Sequence, residues 1–309
     1  MIAILGGLSA AILWAAATLA SSRSSRMIGS RVVLAWVMIV GTAVGLPLGL
    51  LSGVPTSIAP EALPLLLLSG LCYSAGLYAA YSALTVGKVS VVAPIVATEG
   101  AVAALVAVAL GDTLGAAAAV LLTVIVAGVV LSSIEPARPD VPASDIVITA
   151  DALDGPASIA AHRSANADEA ARTRRAVVLA VVAAAIFGVG LVAAGKAALL
   201  VPPIWVVINS RVVGLVIVAL PLILQRRLTL TRRAVPLIVV AGIGEVIGST
   251  ASVWGATDSI AISSVLGSQF AAIAAVLAFL LFHERLSRSQ VAGVVLIVAG
   301  VTALAAVSV

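Results

Sequence analysis

The 309-residue chain is short of nearly everything that soluble chemistry uses: 10% of its residues are charged and 4% aromatic, with two histidines and one cysteine. A soluble globular domain carries about 25% charged residues, so an ordinary cytosolic enzyme is excluded. A lone cysteine, Cys72, cannot form an intramolecular disulfide, which removes a secreted disulfide scaffold. His162 falls in a polar stretch and His283 at the end of an apolar one. There is no intramembrane Ser/His pair and no cluster with metal-ligand spacing, so no catalytic residue and no metal site is assigned. No Gly-x-x-x-x-Gly-Lys-Ser/Thr loop is present to hold a nucleotide, and no cofactor is expected. The net charge of +4 lacks a basic, aromatic-rich domain around it, so nucleic acid is not a partner.

What the chain has is apolar length. Hydrophobic residues make up 62% and mean hydropathy is +1.25. A membrane-spanning helix needs about 20 apolar residues, and the runs predict ten: 2–20, 32–53, 63–84, 89–110, 115–133, 176–195, 204–224, 235–256, 260–282 and 290–308. Barrel strands would alternate over about ten residues instead. The expected fold class is an all-α integral membrane protein, multi-pass, in the plasma (inner) membrane. Residues 134–175 break the pattern. They hold seven of the thirteen acids, five arginines and few large apolar side chains, and predict a flexible polar linker.

The two sides of that linker are related. A shift of 172 residues carries Pro64-Leu65 onto Pro236-Leu237, Gly70 onto Gly242, Gly76 onto Gly248, Asp112 onto Glu284 and Ala127-Gly128-Val129 onto Ala299-Gly300-Val301. A shift of 173 pairs Trp14 with Phe187 and Arg23 with Lys196, and a shift of 180 pairs Ser30-Arg31-Val32-Val33 with Ser210-Arg211-Val212-Val213. The expected domains are a five-helix repeat over 1–133, the linker 134–175, and a second five-helix repeat over 176–309. Two odd-numbered units in series enter the membrane in opposite orientations, which is the inverted-repeat plan of many secondary transporters.

Each half closes with a short acidic turn, Gly111-Asp112-Thr113-Leu114 and His283-Glu284-Arg285-Leu286, followed by a glycine-containing last helix. With Trp14 in the first helix and Arg23 and Lys196 at the ends of helices one and six, the chain resembles the EamA-type drug/metabolite transporters. The family's turn is usually Gly-Glu-Arg-Leu-like, and the linker here is longer than usual. The resemblance implies export or exchange of small metabolites or drugs by alternating access, without ATP. The implied partners are a small-molecule substrate and the lipid bilayer, for a monomer or homodimer. A channel or lipid-flipping protein of the same fold is the alternative, and an intramembrane enzyme the least favoured class.

Outside the linker six acids remain, and two of them, Glu99 and Glu245, lie mid-span. A charge there costs about 2.5–3.5 kcal/mol on insertion scales, so both are candidates for binding a proton or a cationic substrate group. Arg31, Arg211 and Lys196 are candidates for an anionic group, with snorkelling to the interface as the bland reading. Trp14 and Tyr73 are deep enough to line a cavity; Trp205, Tyr81 and Trp254 are expected as interfacial anchors. Asn209, Ser210, Ser264, Ser268 and Gln269 are candidate polar contacts, Asn209 and Gln269 foremost. Gly41, Gly45 and Gly49 predict a close-packed helix face, as do Gly242, Gly244 and Gly248. Pro94 and Pro221 predict kinks.

Numbering the connections in order, the odd ones carry fifteen of the seventeen basic residues when Arg31 and the linker are included, and ten against two without the linker. The positive-inside rule then puts the odd connections in the cytoplasm and both termini outside. The family resemblance implies both termini inside.

Overall fold

The computed structural model describes residues 1–87, 89–112, 115–132 and 156–274, with eight single positions between 277 and 303. Among the described residues every element is helical and no strand occurs. The helices are α1 (Ile2–Ile28), α2 (Ser30–Leu51), α3 (Ala62–Val86), α4 (Val89–Val96), α5 (Glu99–Ala109), α6 (Ala116–Ser132), α7 (Pro156–Ala197), α8 (Pro203–Gly214), α9 (Leu220–Leu224), α10 (Val235–Ala256) and α11 (Ile260–Gly267). A π-helical turn, Leu215–Ala219, joins α8 to α9. Among the described residues six spans are long and apolar enough to cross a membrane: Ile2–Ile28, Ser30–Leu51, Ala62–Val86, Ala171–Ala197, Pro203–Leu224 and Val235–Ala256. Apart from single positions, the tenth predicted span, 290–308, lies outside the described residues, as do the turn residues Thr113, Leu114, His283 and Glu284 and residues 133–155 of the linker.

Several boundaries move, for local reasons. Helix α1 runs past Ala20 through four buried serines, Ser21, Ser22, Ser24 and Ser25. The Ser24 hydroxyl donates to the Ala20 carbonyl at 2.8 Å, so its polarity is absorbed by its own helix. The linker read as flexible over 134–175 is helical from Pro156 onward, and that helix continues unbroken into the sixth span as α7.

The fourth span is two helices rather than one. Thr98 donates to the Ile95 carbonyl from its N–H at 3.2 Å and from its hydroxyl at 2.7 Å. That tight turn closes α4, and the ladder restarts with Val102 N–H on the Thr98 carbonyl, leaving Glu99 first in α5. The ninth span breaks in the same way at Ser268–Gln269, just after α11. Upstream of Pro221, which has no N–H to return to the Ile217 carbonyl, Leu220 N–H reaches back to Leu215. The expected irregularity in the seventh span is therefore a π-turn.

Helices in lipid have no water to escape, so they associate through small residues that let backbones approach. Helix α1 packs on α10, α3 on α7, α2 on α8 and α5 on α11. A Cβ placed on Gly244 of α10 would lie 2.9 Å from the Leu13 carbonyl of α1. Gly76 of α3 receives Phe187 of α7, and Gly100 of α5 sits against Ser264 and Ser268. The expected Gly41, Gly45 and Gly49 face meets Arg211, Ile208 and Trp205 in turn. At one end, the Asp258 carboxylate accepts from Ala3 N–H at 3.1 Å and from the Met1 amine at 3.3 Å. These donors hold its carboxyl below the usual carboxylate range.

Candidate functional site

These helices enclose a cavity of about 940 Å³, counting all the space between atoms out to its mouth. Helices α1, α3, α4, α5, α7, α8 and α10 all contribute, together with Phe270. Most of its wall is apolar, from residues such as Leu77, Val92, Val96 and Leu191. Six of the candidates named from sequence converge on it: Glu99, Glu245, Arg211, Trp14, Tyr73 and Ser210.

Arg211 organises the centre. It stands about two turns inside α8 and is fully buried. Its aliphatic stem fits against Gly41, where a Cβ would approach its Cδ to 3.0 Å. Its Nη2 donates to the Glu245 carbonyl at 2.8 Å and to Ser249 Oγ at 3.0 Å. The guanidinium carbon lies 4.1 Å from the centroid of the Tyr73 ring, a cation–π geometry. Three helices thus clamp one side chain: α2 by lacking a side chain, α3 by a ring face and α10 by two acceptors.

Tyr73 in turn donates its hydroxyl to Glu245 Oε2 and meets the Phe187 ring edge-on, with centroids 6.3 Å apart and planes at 66°. No ion pair within 4.0 Å joins Arg211 to Glu245 or Glu99 among the described residues. Glu99, 5% exposed, sits where the fourth span breaks. Trp14 of α1 lies against Gly248 and Gly267, whose missing side chains make room for its indole.

Arg31, Lys196, Asn209, Gln269, Ser264 and Ser268 are not brought to this cavity. Arg31 is exposed at the start of α2, 5.9 Å above the Tyr78 ring. Lys196 pairs with Asp112 at 2.7 Å, both side chains part-exposed, tying the end of α7 to the end of α5. Asn209 donates to the Leu66 carbonyl at 2.7 Å, and Gln269 donates to the Val265 carbonyl at 2.8 Å. The first ties α8 to α3, and the second bonds back along its own segment. The identical strings Ser30–Val33 and Ser210–Val213 do not occupy equivalent places: Arg31 opens its helix, whereas Arg211 lies deep in its own.

Tyr81 corrects another expectation. Only 2% exposed, it lines the cavity instead of anchoring at an interface. Trp254, 44% exposed, and Trp205, whose indole N–H donates to the Gly53 carbonyl at 2.9 Å, keep the peripheral positions expected of them. Phe187 also lines the site, and its signal was its pairing with Trp14 at the 173-residue shift. Ser249 and Phe270 carried no signal in the sequence.

The chain matches the model of the EamA-like transporter family over residues 1–134 and again over 174–306. No curated protein matches it at a significant level. A solved crystal structure, described only as that of a protein, superimposes with a TM-score of 0.69 at 20% identity, covering 99% of this chain and 96% of the other. That likeness is one of fold. The two family matches flank the polar linker and take in every helix that builds the cavity, so this multi-pass membrane protein belongs to the EamA-like transporter family, within the drug/metabolite transporter superfamily.

Proposed function

We propose that the chain is a secondary active exporter of small metabolites or drugs in the plasma (inner) membrane. It works by alternating access between two inverted five-helix repeats, 1–133 and 176–309, joined through 134–175. The observation that carries this reading is the mid-span cavity in which Arg211, Glu245, Glu99, Trp14 and Tyr73 meet. Charged groups inside a membrane protein mark substrate or ion pathways, and transporters of inverted-repeat design bind substrate at the repeat interface near the midplane.

The helix pairing supports the repeat. Under the 172–173 residue shift, α1 corresponds to α7 and α3 to α10, so α1 on α10 and α7 on α3 are one interface written twice. The pair α2 with α8 matches an element with its own counterpart. A two-fold axis in the membrane plane produces this pattern.

Glu99 and Glu245 are the proposed coupling groups, at least one exchanging a proton as the cavity changes face. Reconstitution into proteoliposomes tests the function. Saturable substrate flux driven by a pH gradient is the expected outcome; flux that never saturates would make the protein a channel. The charge bias places the odd connections in the cytoplasm, and an impermeant thiol reagent applied to intact cells should label a cysteine added at the C-terminus.

A further inference from the structure

Arginine carries five N–H donors, and in Arg211 two of the contacts are made, both from Nη2 and both to neutral acceptors, the Glu245 carbonyl and Ser249 Oγ. Among the described residues Nε and Nη1 have no partner, although the residue is fully buried. A buried donor left unsatisfied is costly, and more so when it is charged. No carboxylate stands within 4.0 Å of the guanidinium among the described residues. The same cavity wall holds two more buried donors without partners, the Trp14 indole N–H and the Tyr81 hydroxyl. Among the described residues, the fully shielded cavity atoms without a partner are therefore donors, centred on a cation with no carboxylate within 4.0 Å, while the Glu99 and Glu245 carboxylates line the same cavity farther away. Around them lie Leu77, Val96, Phe187, Leu191 and Phe270, an apolar lining that suits a hydrocarbon or aromatic body.

We infer that the cavity takes an amphiphilic organic anion: a carboxylate or similar acid group on Arg211, and an apolar body against the surrounding rings and aliphatic side chains. This deepens the proposed function and rests on the cavity being the substrate site. Arg211 is the specificity-determining residue, because Nε and Nη1 of its planar fork keep three N–H donors for an acid group. Tyr73 and Ser249 position it.

Binding to the purified full-length protein in detergent tests this without requiring turnover. Quenching of tryptophan fluorescence is followed with phenylacetate, its neutral isostere phenylacetamide, phenylalanine and benzyltrimethylammonium, with Trp14→Phe as the control that loses the signal. Phenylacetate should bind saturably and at least tenfold more tightly than the amide, and the quaternary amine should not compete. Arg211→Lys, which keeps the charge but not the fork, should weaken phenylacetate several-fold while leaving the amide unchanged.

Equal binding of acid and amide, or stronger binding of the cation, would overturn the inference, and the parent protein alone gives that answer if the variant fails to fold. Phenylalanine bound tenfold more tightly than phenylacetate would overturn it too, since the site would then read an ammonium as well. Displacement of phenylacetate by phosphatidylglycerol but not phosphatidylcholine would assign the acid group to a lipid, against a small-molecule anion. Anion binding without flux in proteoliposomes would count against the transport function alone; flux of cations only would sustain transport and sink the anion.

Discussion

Tyr73 and Glu245 are 172 residues apart, the same offset that brings the two halves of the sequence into register, and the hydroxyl of one donates to the carboxylate of the other. Counterparts in two copies related by a two-fold axis touch each other only beside that axis. A tyrosine in one half and a glutamate in the other at this single pair of positions make the centre chemically asymmetric. Such asymmetry lets a bound substrate or proton weigh the two access states of the proposed cycle differently.

Tyr73→Phe keeps the ring beneath Arg211 and removes the donor to Glu245. A hydrogen bond to a charged group contributes about 1.5–3 kcal/mol, so the variant should unfold at lower temperature in detergent and transport more slowly. Tyr73→Ala also removes the cation–π contact, about 0.5–2 kcal/mol more. Thermal unfolding of the two variants side by side measures the difference, and equal melting temperatures would show that the ring contributes nothing.

Glu99→Gln and Glu245→Gln preserve shape and remove titration. At least one should express and insert as the parent does yet fail to accumulate substrate against a gradient when a pH difference is applied. If both transport uphill as well as the parent at every pH tested, neither carboxylate is the coupling group.

The Lys196–Asp112 pair links α7 to the end of α5 at 2.7 Å, with side chains 30% and 26% exposed. Part-exposed pairs contribute about 1 kcal/mol or less, so neither single swap should unfold the protein. Lys196→Asp and Asp112→Lys should each slow transport several-fold by placing like charges at that junction. Combining them should recover most of the rate, and a double variant no better than the worse single would exclude a direct role for the pair.

Gly244 and Gly115 separate packing from propensity. A Cβ on Gly244 meets the Leu13 carbonyl, a backbone atom that cannot rotate away, whereas one on Gly115 meets nothing within 4 Å. Overpacking costs about 1–3 kcal/mol. Gly244→Ala should therefore lower the unfolding temperature and Gly115→Ala should not, as read by differential scanning fluorimetry.

The spans and the two mid-membrane carboxylates are legible in sequence because a charge inside a long apolar run is conspicuous on composition alone. Glycine at four-residue spacing shows the α2 face for the same reason. Which way a side chain points is harder to read. These helices are apolar nearly all round, so no amphipathic stripe separates Tyr81 facing the cavity from Trp254 facing outward. Arg31 and Arg211 look equivalent because four letters around them agree, yet the helix bounds relate α2 to α8–α9 by 173 residues at both ends (30 to 203, 51 to 224) rather than 180. The breaks at Thr98 and Ser268 escape an apolar count altogether, since side chain and backbone polar groups close them locally. The linker's helix from Pro156 is hidden by its low hydropathy, which argues against a core but not against helical backbone.

Both acceptors that hold Arg211 are made after it, the Glu245 carbonyl 34 residues later and Ser249 38 residues later. When α8 leaves the ribosome its arginine can meet only the Tyr73 ring and the Gly41 face, which are already made. An arginine in lipid costs about 2.5–3.5 kcal/mol, and docking of α10 supplies the two acceptors that offset it. A nascent chain that stops before Val235 therefore holds α8 in the membrane without the bonds that fix its arginine in the finished fold.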